Sequence, residues 1–296
     1  MLQDLINALS LGSIYLLFAL GMSLVWGTIG ILNFAHGAIF MFAAFASYVI
    51  VEQVRLPMLA LIVIGALVGA VLSVAVQVLA FQPILQRAKD LRSGEMQILI
   101  GGIGVAAIPL AVAEEETGSN PFGFSASSYA TKTYVLLGFR ITNTQILVVA
   151  AALLIAVAVI AWLRMSRSGL ALRSLGVDPE TASLMGVNRR VLGLGSMAVA
   201  GALAGFSGVM LTYHLGAITP DSGDTLLIKA FAAVILGGVG SMAGVVVGSY
   251  VLALAETIVL TQTSGLWVDA VSFGVILAVL LFKSEGLFGR KEVRRT

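Results

Sequence analysis

The chain of 296 residues has no cysteine, only two histidines and six prolines, and just 11% Asp, Glu, Lys and Arg. Without cysteine there is no disulfide framework, no thiolate zinc site and no thiol nucleophile. His36 and His214 are far apart in the chain and leave little for a histidine-based metal site. A soluble domain carries about a quarter charged residues and about half apolar ones. Here 59% of residues are hydrophobic and the mean hydropathy is +1.03, which excludes that class. A disordered chain, poor in apolar residues and rich in charge, is excluded by the same figures. Three patterns are also missing: G-x-x-x-x-G-K-[ST], G-x-S-x-G and H-E-x-x-H. The chain therefore has no phosphate loop for ATP, no nucleophile elbow and no zinc-protease helix. What is abundant is glycine, 33 residues, which in membrane helices allows backbones to approach closely. The chain reads as all-α, a polytopic membrane helical bundle.

A membrane helix needs about 20 apolar residues, because about 30 Å of hydrocarbon is crossed at about 1.5 Å per residue. Runs of that kind lie near 5–28, 31–54, 57–81, 96–113, 144–164, 191–213, 226–240, 242–262 and 266–283, giving about 8–10 transmembrane helices in one domain over 1–296. The pair around Gly240 reads either as a hairpin or as a broken, re-entrant pair. The N-terminus, with Asp4 as its first charge, is not expected to be a cleavable signal.

Basic residues set the orientation. Most of the 17 fall in three segments: 82–95 (Arg87, Lys89, Arg92), 164–190 (Arg164, Arg167, Arg173, Arg189, Arg190) and 283–296 (Lys283, Arg290, Lys291, Arg294, Arg295). The alternate connections collect acids, among them Glu52, Glu114, Glu115, Glu116, Asp221 and Asp269. The three basic segments are expected in the cytoplasm, with the N-terminus outside and the C-terminus inside. No nucleic-acid partner is expected, since topology accounts for the basic clusters.

Two connections are long. That at 115–143 is polar and aromatic and reads as an irregular external loop. That at 165–190 contains Asp178-Pro179-Glu180, a helix start with a cap, a proline in the first turn and an acid beside it. The helix is expected to run through Ala182 and Leu184 and stop at Gly186. Such a short amphipathic cytoplasmic helix either rests on anionic lipid or docks a partner.

Asn33-Phe34-Ala35-His36-Gly37, Ser166-Arg167-Ser168-Gly169 with Ala182 to Asn188, Lys229-Ala230-Phe231 with Leu236 to Ser241, and Gly286-Leu287-Phe288-Gly289-Arg290 occur in this order. Together they resemble the LivH-type permease of branched-chain amino acid ABC importers, over essentially the whole chain. One departure is Ser284-Glu285, where that family would place a proline. The resemblance implies import of leucine, isoleucine or valine by alternating access. It also implies a second related permease subunit, two cytoplasmic ATPase subunits, and an extracytoplasmic substrate-binding protein. The membrane would be the prokaryotic cytoplasmic (inner) membrane. This chain would bind no cofactor, ATP being hydrolysed by the partner subunits. Permeases for urea or short-chain amides belong to the same family. A free-standing channel or ion-coupled carrier is the reading from another class; it would need coupling residues that this chain scarcely has.

Three groups of residues stand out. Asn33 and His36 open a span one turn apart, and either fix the break between the first two spans or line a translocation path. Lys229 and Glu256 lie about 5 and 9 Å inside their spans on antiparallel neighbours. They suit an intramembrane ion pair, a polar path wall that includes Glu256, or a proton relay. By resemblance, 165–190 is the coupling segment that docks the ATPase, with Arg167, Arg173, Asp178, Ala182, Leu184 and Gly186 as its candidate residues. Arg167 and Arg173 suit acidic groups of a partner or lipid headgroups equally.

Overall fold

The computed structural model describes every residue except Met1, Ile31, Lys89, Asp90, Leu137, Ser264, Ser284, Glu285 and 290–296. The Ser284-Glu285 departure and the basic residues Lys89, Arg290, Lys291, Arg294 and Arg295 thus lie outside the described residues. Helix α1 runs Leu2–Ile29 and α2 runs His36–Gln53. Helix α3 (Met58–Val76) continues through a π turn (Gln77–Phe81) into α4 (Gln82–Arg87), and α5 is Leu91–Thr117. Strands β1 (Thr133–Leu136) and β2 (Phe139–Thr142) form an antiparallel hairpin. Then come α6 (Asn143–Met165), α7 (Arg167–Val177), α8 (Pro179–Leu184), α9 (Arg189–Leu215), α10 (Ser222–Gly237), α11 (Met242–Gln262) and α12 (Val268–Phe282).

Seven of these helices are long and apolar enough to cross a membrane. Helices α10 and α12, at 16 and 15 residues, occupy the other two expected spans but are shorter. The bundle centres on α1 and α9: α1 packs on α6, α9, α10 and α11, while α9 packs on α1, α2 and α3. Side chains of α1 from Ile14 to Leu20 are almost wholly buried. The faces left exposed are apolar, as on α3 (Leu59, Val63, Leu67, Val71), where lipid rather than water suits them.

Small residues determine how close the helices come. A Cβ on Gly69 would fall onto the Gly201 carbonyl, and one on Gly205 onto the Gly65 carbonyl. The α3–α9 seam is therefore built on backbone contact. A Gly205→Ala substitution is expected to destabilise the detergent-solubilised protein by about 1–3 kcal/mol through overpacking. Gly104→Ala on α5, where nothing lies within 4 Å, is expected to be neutral or slightly stabilising through helix propensity. Thermal melting in detergent separates the two, and equal shifts would remove the packing argument.

The Gly240 region is a closed hairpin. Gly238 and Gly240 adopt positive φ (99° and 78°), and Ser241 Oγ accepts from Gly244 N to cap α11. Gly237 and Gly244 then meet backbone to backbone. Leu287 N and Phe288 N donate to the carbonyls of Leu236 and Gly237, pinning the C-terminal stretch to the end of α10.

The 115–143 connection is less irregular than its composition suggests. Helix α5 carries the three glutamates on to Thr117, and Phe122 exchanges two backbone hydrogen bonds with Ile218. The β hairpin follows, and Thr142 with Gln145 forms a capping box that starts α6.

Candidate functional site

Glu256 on α11 is the centre of a buried polar cluster. Its carboxylate is 1% exposed, and Lys229 on α10 donates from Nζ to Oε2 at 3.0 Å. Tyr15 of α1 donates its hydroxyl to the same oxygen at 2.6 Å, and Ser272 of α12 donates to Oε1 at 2.5 Å. Lys229 Nζ also lies 3.8 Å from Asp269 Oδ1 and 5.7 Å from the Tyr15 ring centre. Four helices thus meet at one carboxylate, whose oxygens accept an ammonium and two hydroxyls. An isolated charge at this depth is expensive, whereas a paired and hydrogen-bonded one is tolerated. The chemistry available here is mutual neutralisation. The hydroxyls of Tyr15 and Ser272 lead to no further carboxylate or imidazole among the described residues.

Asn33 and His36 lie elsewhere, at the start of α2. Asn33 precedes the helix instead of sharing a helical face with His36: its Oδ1 accepts from Ala35 N, and its carbonyl accepts from His36 N. The short polar side chain competes well for backbone donors here and closes a turn. His36 is 1% exposed, packs its ring 4.5 Å from that of Phe18 and donates from Nε2 to the Phe18 carbonyl at 3.3 Å. His36 and Glu256 therefore address the same helix, α1, at Phe18 and Tyr15. No hydrogen bond or ion pair joins them among the described residues. A cavity of about 370 Å³ between α2, α5 and α10 is lined by Phe34, Ala38, Met41 and Leu227, not by Asn33 or His36.

The 165–190 segment forms two helices where the sequence suggests one. Ser166 Oγ accepts from Gly169 N and starts α7, and Trp162 Nε1 donates to Ser168 Oγ. Gly169 packs against the backbone of Trp162 and Leu163, so α7 folds back hard on α6. Leu172 and Leu175 are buried beneath it. Asp178 Oδ1 then accepts from Glu180 N and Thr181 N to cap α8. The helix closes with Val187 N on the Ala182 carbonyl and Gly186 N on that of Ser183, Gly186 having φ 85°. That is the Schellman arrangement.

Two expected contact residues have other surroundings. Ala182 is 5% exposed, because α8 lies back on α7 and turns that side inward. Gly186 supplies a left-handed backbone that ends α8, so its role is conformational. Met165, Val177, Leu184 and Met185 are the most exposed apolar side chains of the segment, each at least 80% exposed, and the last three of them flank or close α8. Arg167 and Arg173 have no ion-pair partner among the described residues.

Sequence reasoning missed Tyr15, Ser272 and Asp269 around the ion pair. Tyrosine and serine are ordinary span residues, and nothing in their spacing points to Glu256. It also missed α7, although Ser166 followed by Leu170, Leu172 and Leu175 is a capped amphipathic run.

The family model for "branched-chain amino acid transport system / permease component" matches residues 5–280. The high-affinity branched-chain amino acid transport system permease protein BraD of Pseudomonas aeruginosa is 30% identical over 99% of this chain and 97% of its own length. The permease protein LivH of Escherichia coli gives the same identity and coverage. The probable LivH of Methanocaldococcus jannaschii is 28% identical over 96% of this chain and 91% of its own. No solved structure matches. A multi-pass bundle of apolar helices, matched from residue 5 to residue 280 and over nearly the full length of such relatives, belongs to the family of branched-chain amino acid transport system permease components.

Proposed function

We propose that this chain is the membrane permease subunit of an ATP-driven importer of leucine, isoleucine and valine. The observation that carries the reading is end-to-end similarity to permeases named for that transport system, with 97% of the bacterial relatives' length covered. The chain has no phosphate loop of its own, so ATP is bound and hydrolysed by two cytoplasmic ATPase subunits. A second related permease completes the membrane part, and an extracytoplasmic binding protein delivers substrate. The site is the prokaryotic cytoplasmic membrane, with the N-terminus outside and the 165–190 segment inside.

The mechanism follows from what is rigid and what protrudes. Affinity for substrate resides in the binding protein, so the path needs few charges, which suits spans this apolar. Lys229 and Glu256 hold α10 and α11 together, His36 anchors the start of α2 to α1, and Asn33 closes the turn before it. Closure of the ATPase pair pushes on Val177, Leu184 and Met185 and is passed through α7 to α6, opening the bundle alternately to the two sides. The chain itself catalyses no reaction.

Topology and substrate are tested separately. Reporter fusions at 175 should read cytoplasmic and one at 125 external; an external 175 removes the coupling segment. Uptake by cells lacking the gene should fall for labelled leucine and be restored by the intact chain. Loss of urea uptake with unchanged leucine uptake would transfer the assignment to urea and amides.

A further inference from the structure

A cavity of about 270 Å³ opens beside the start of α9, between Arg189 and Arg190 on one side and Gln77, Gln82 and Gln86 on the other. It takes no part in the transport reading. Gln77 and Gln82 are five residues apart, which in an α-helix puts side chains on nearly opposite faces. The π turn between them, in which Gln82 N donates to the Gln77 carbonyl, brings both onto one face. They are 5% and 9% exposed, yet Gln77 Oε1 and Gln82 Nε2 have no hydrogen-bond partner among the described residues. Buried amide atoms without partners destabilise a protein; the two residues line one cavity, and a turn of their amides toward it would let a ligand accept from one and donate to the other. Neither Arg189 nor Arg190 has an ion-pair partner among the described residues. Both sit in the first turn of a helix of 27 residues, whose positive end adds to their charge.

The surroundings choose between phosphate sources. Val71 and Leu79, on the same helix, are 67% and 77% exposed, an apolar flank that suits acyl chains. The cavity marks where that apolar face gives way to glutamine and arginine, the level of headgroups. We propose that it holds the headgroup of an anionic glycerophospholipid. The phosphate lies between Arg189 and Arg190 and accepts from Gln82 Nε2. A headgroup hydroxyl, as in phosphatidylglycerol, donates to Gln77 Oε1. The proposal stands or falls independently of the transported substrate.

The test uses the intact transporter purified in detergent, with phosphatidylglycerol, phosphatidylcholine of the same acyl chains, or millimolar inorganic phosphate added. Bound lipid is read by native mass spectrometry and stability by thermal melting. One phosphatidylglycerol per copy of this chain should be retained and should raise the melting temperature, whereas phosphatidylcholine and inorganic phosphate do neither. Gln82→Leu should weaken lipid binding by about tenfold or more, without lowering the melting temperature in phosphatidylcholine, because an unpaired buried amide has been removed. Arg189→Gln with Arg190→Gln should weaken binding at least as much, and Arg164→Gln should leave it unchanged. If the double arginine variant does not fold, Gln82→Leu decides alone. Unaltered binding by Gln82→Leu, or equal weakening by Arg164→Gln, would reduce the effect to attraction by a basic face and overturn the proposal. Displacement of the lipid by inorganic phosphate would overturn it too, in favour of a soluble anion.

Discussion

Lys229→Leu is expected to lower the amount of folded protein in the membrane severely, since breaking a buried pair by removing one partner costs about 3–5 kcal/mol. The remaining Glu256 would keep its hydrogen bonds from Tyr15 and Ser272 but stay buried without its cation. Glu256→Leu should be as damaging: Lys229 would be left with Asp269 at 3.8 Å, and two hydroxyls would lose their acceptor. The double change to leucine removes both charges and should recover much of the lost protein. Recovery should be incomplete, because the buried Tyr15 hydroxyl stays unpaired at a cost of about 1–3 kcal/mol. Adding Tyr15→Phe to the double variant should recover more. Quantitative immunoblots of membranes, with melting of the solubilised protein, measure all four variants. A double variant no better than the worse single one would show that these residues do not act as a pair, and would favour a role in the path.

Changing Leu184 and Met185 together to Asp is expected to abolish transport while the chain still inserts and melts normally. Both side chains are at least 80% exposed, so the fold of the chain depends little on them. If they seat in an ATPase subunit, charges there should cost about 2 kcal/mol or more, about 30-fold in docking affinity. Co-purification of ATPase with the tagged chain would report it directly. Arg167→Gln and Arg173→Gln should have smaller effects, as exposed ion pairs contribute about 0–1 kcal/mol. The reverse order, with the arginines dominant and the double Asp variant fully active, would indicate a segment that lies on lipid. Ala182 and Gly186 are poor probes, since a bulky side chain at either disrupts α8 itself.

The long helices are legible because twenty apolar residues in a row have few alternatives in a membrane. Lys229 and Glu256 stand out for the same reason, as charges where charges are expensive. What the sequence does not display are relations created by packing. Tyr15 and Ser272 become partners of Glu256 only when α1 and α12 close around α11. Gln77 and Gln82 share a cavity only because a π turn lies between them, and no residue in Gln77–Phe81 announces one. By spacing alone Asn33 and His36 form a helical pair, since three residues make about one turn. The asparagine instead closes a turn before the helix, a choice its side chain makes locally. Similarly, Ala182 looks exposed on a helical wheel until α7, itself overlooked, is placed behind it.

ATP-dependent uptake in a defined system tests the central claim most directly. The tagged chain is purified from its native membrane with whatever accompanies it and reconstituted in liposomes. ATP is placed on the side of the 165–190 segment, and labelled leucine with its binding protein on the other. The account predicts that ATPase subunits co-purify and that leucine accumulates only when ATP and binding protein are both present. Accumulation by this chain alone, driven by an ion gradient and indifferent to ATP, would contradict it.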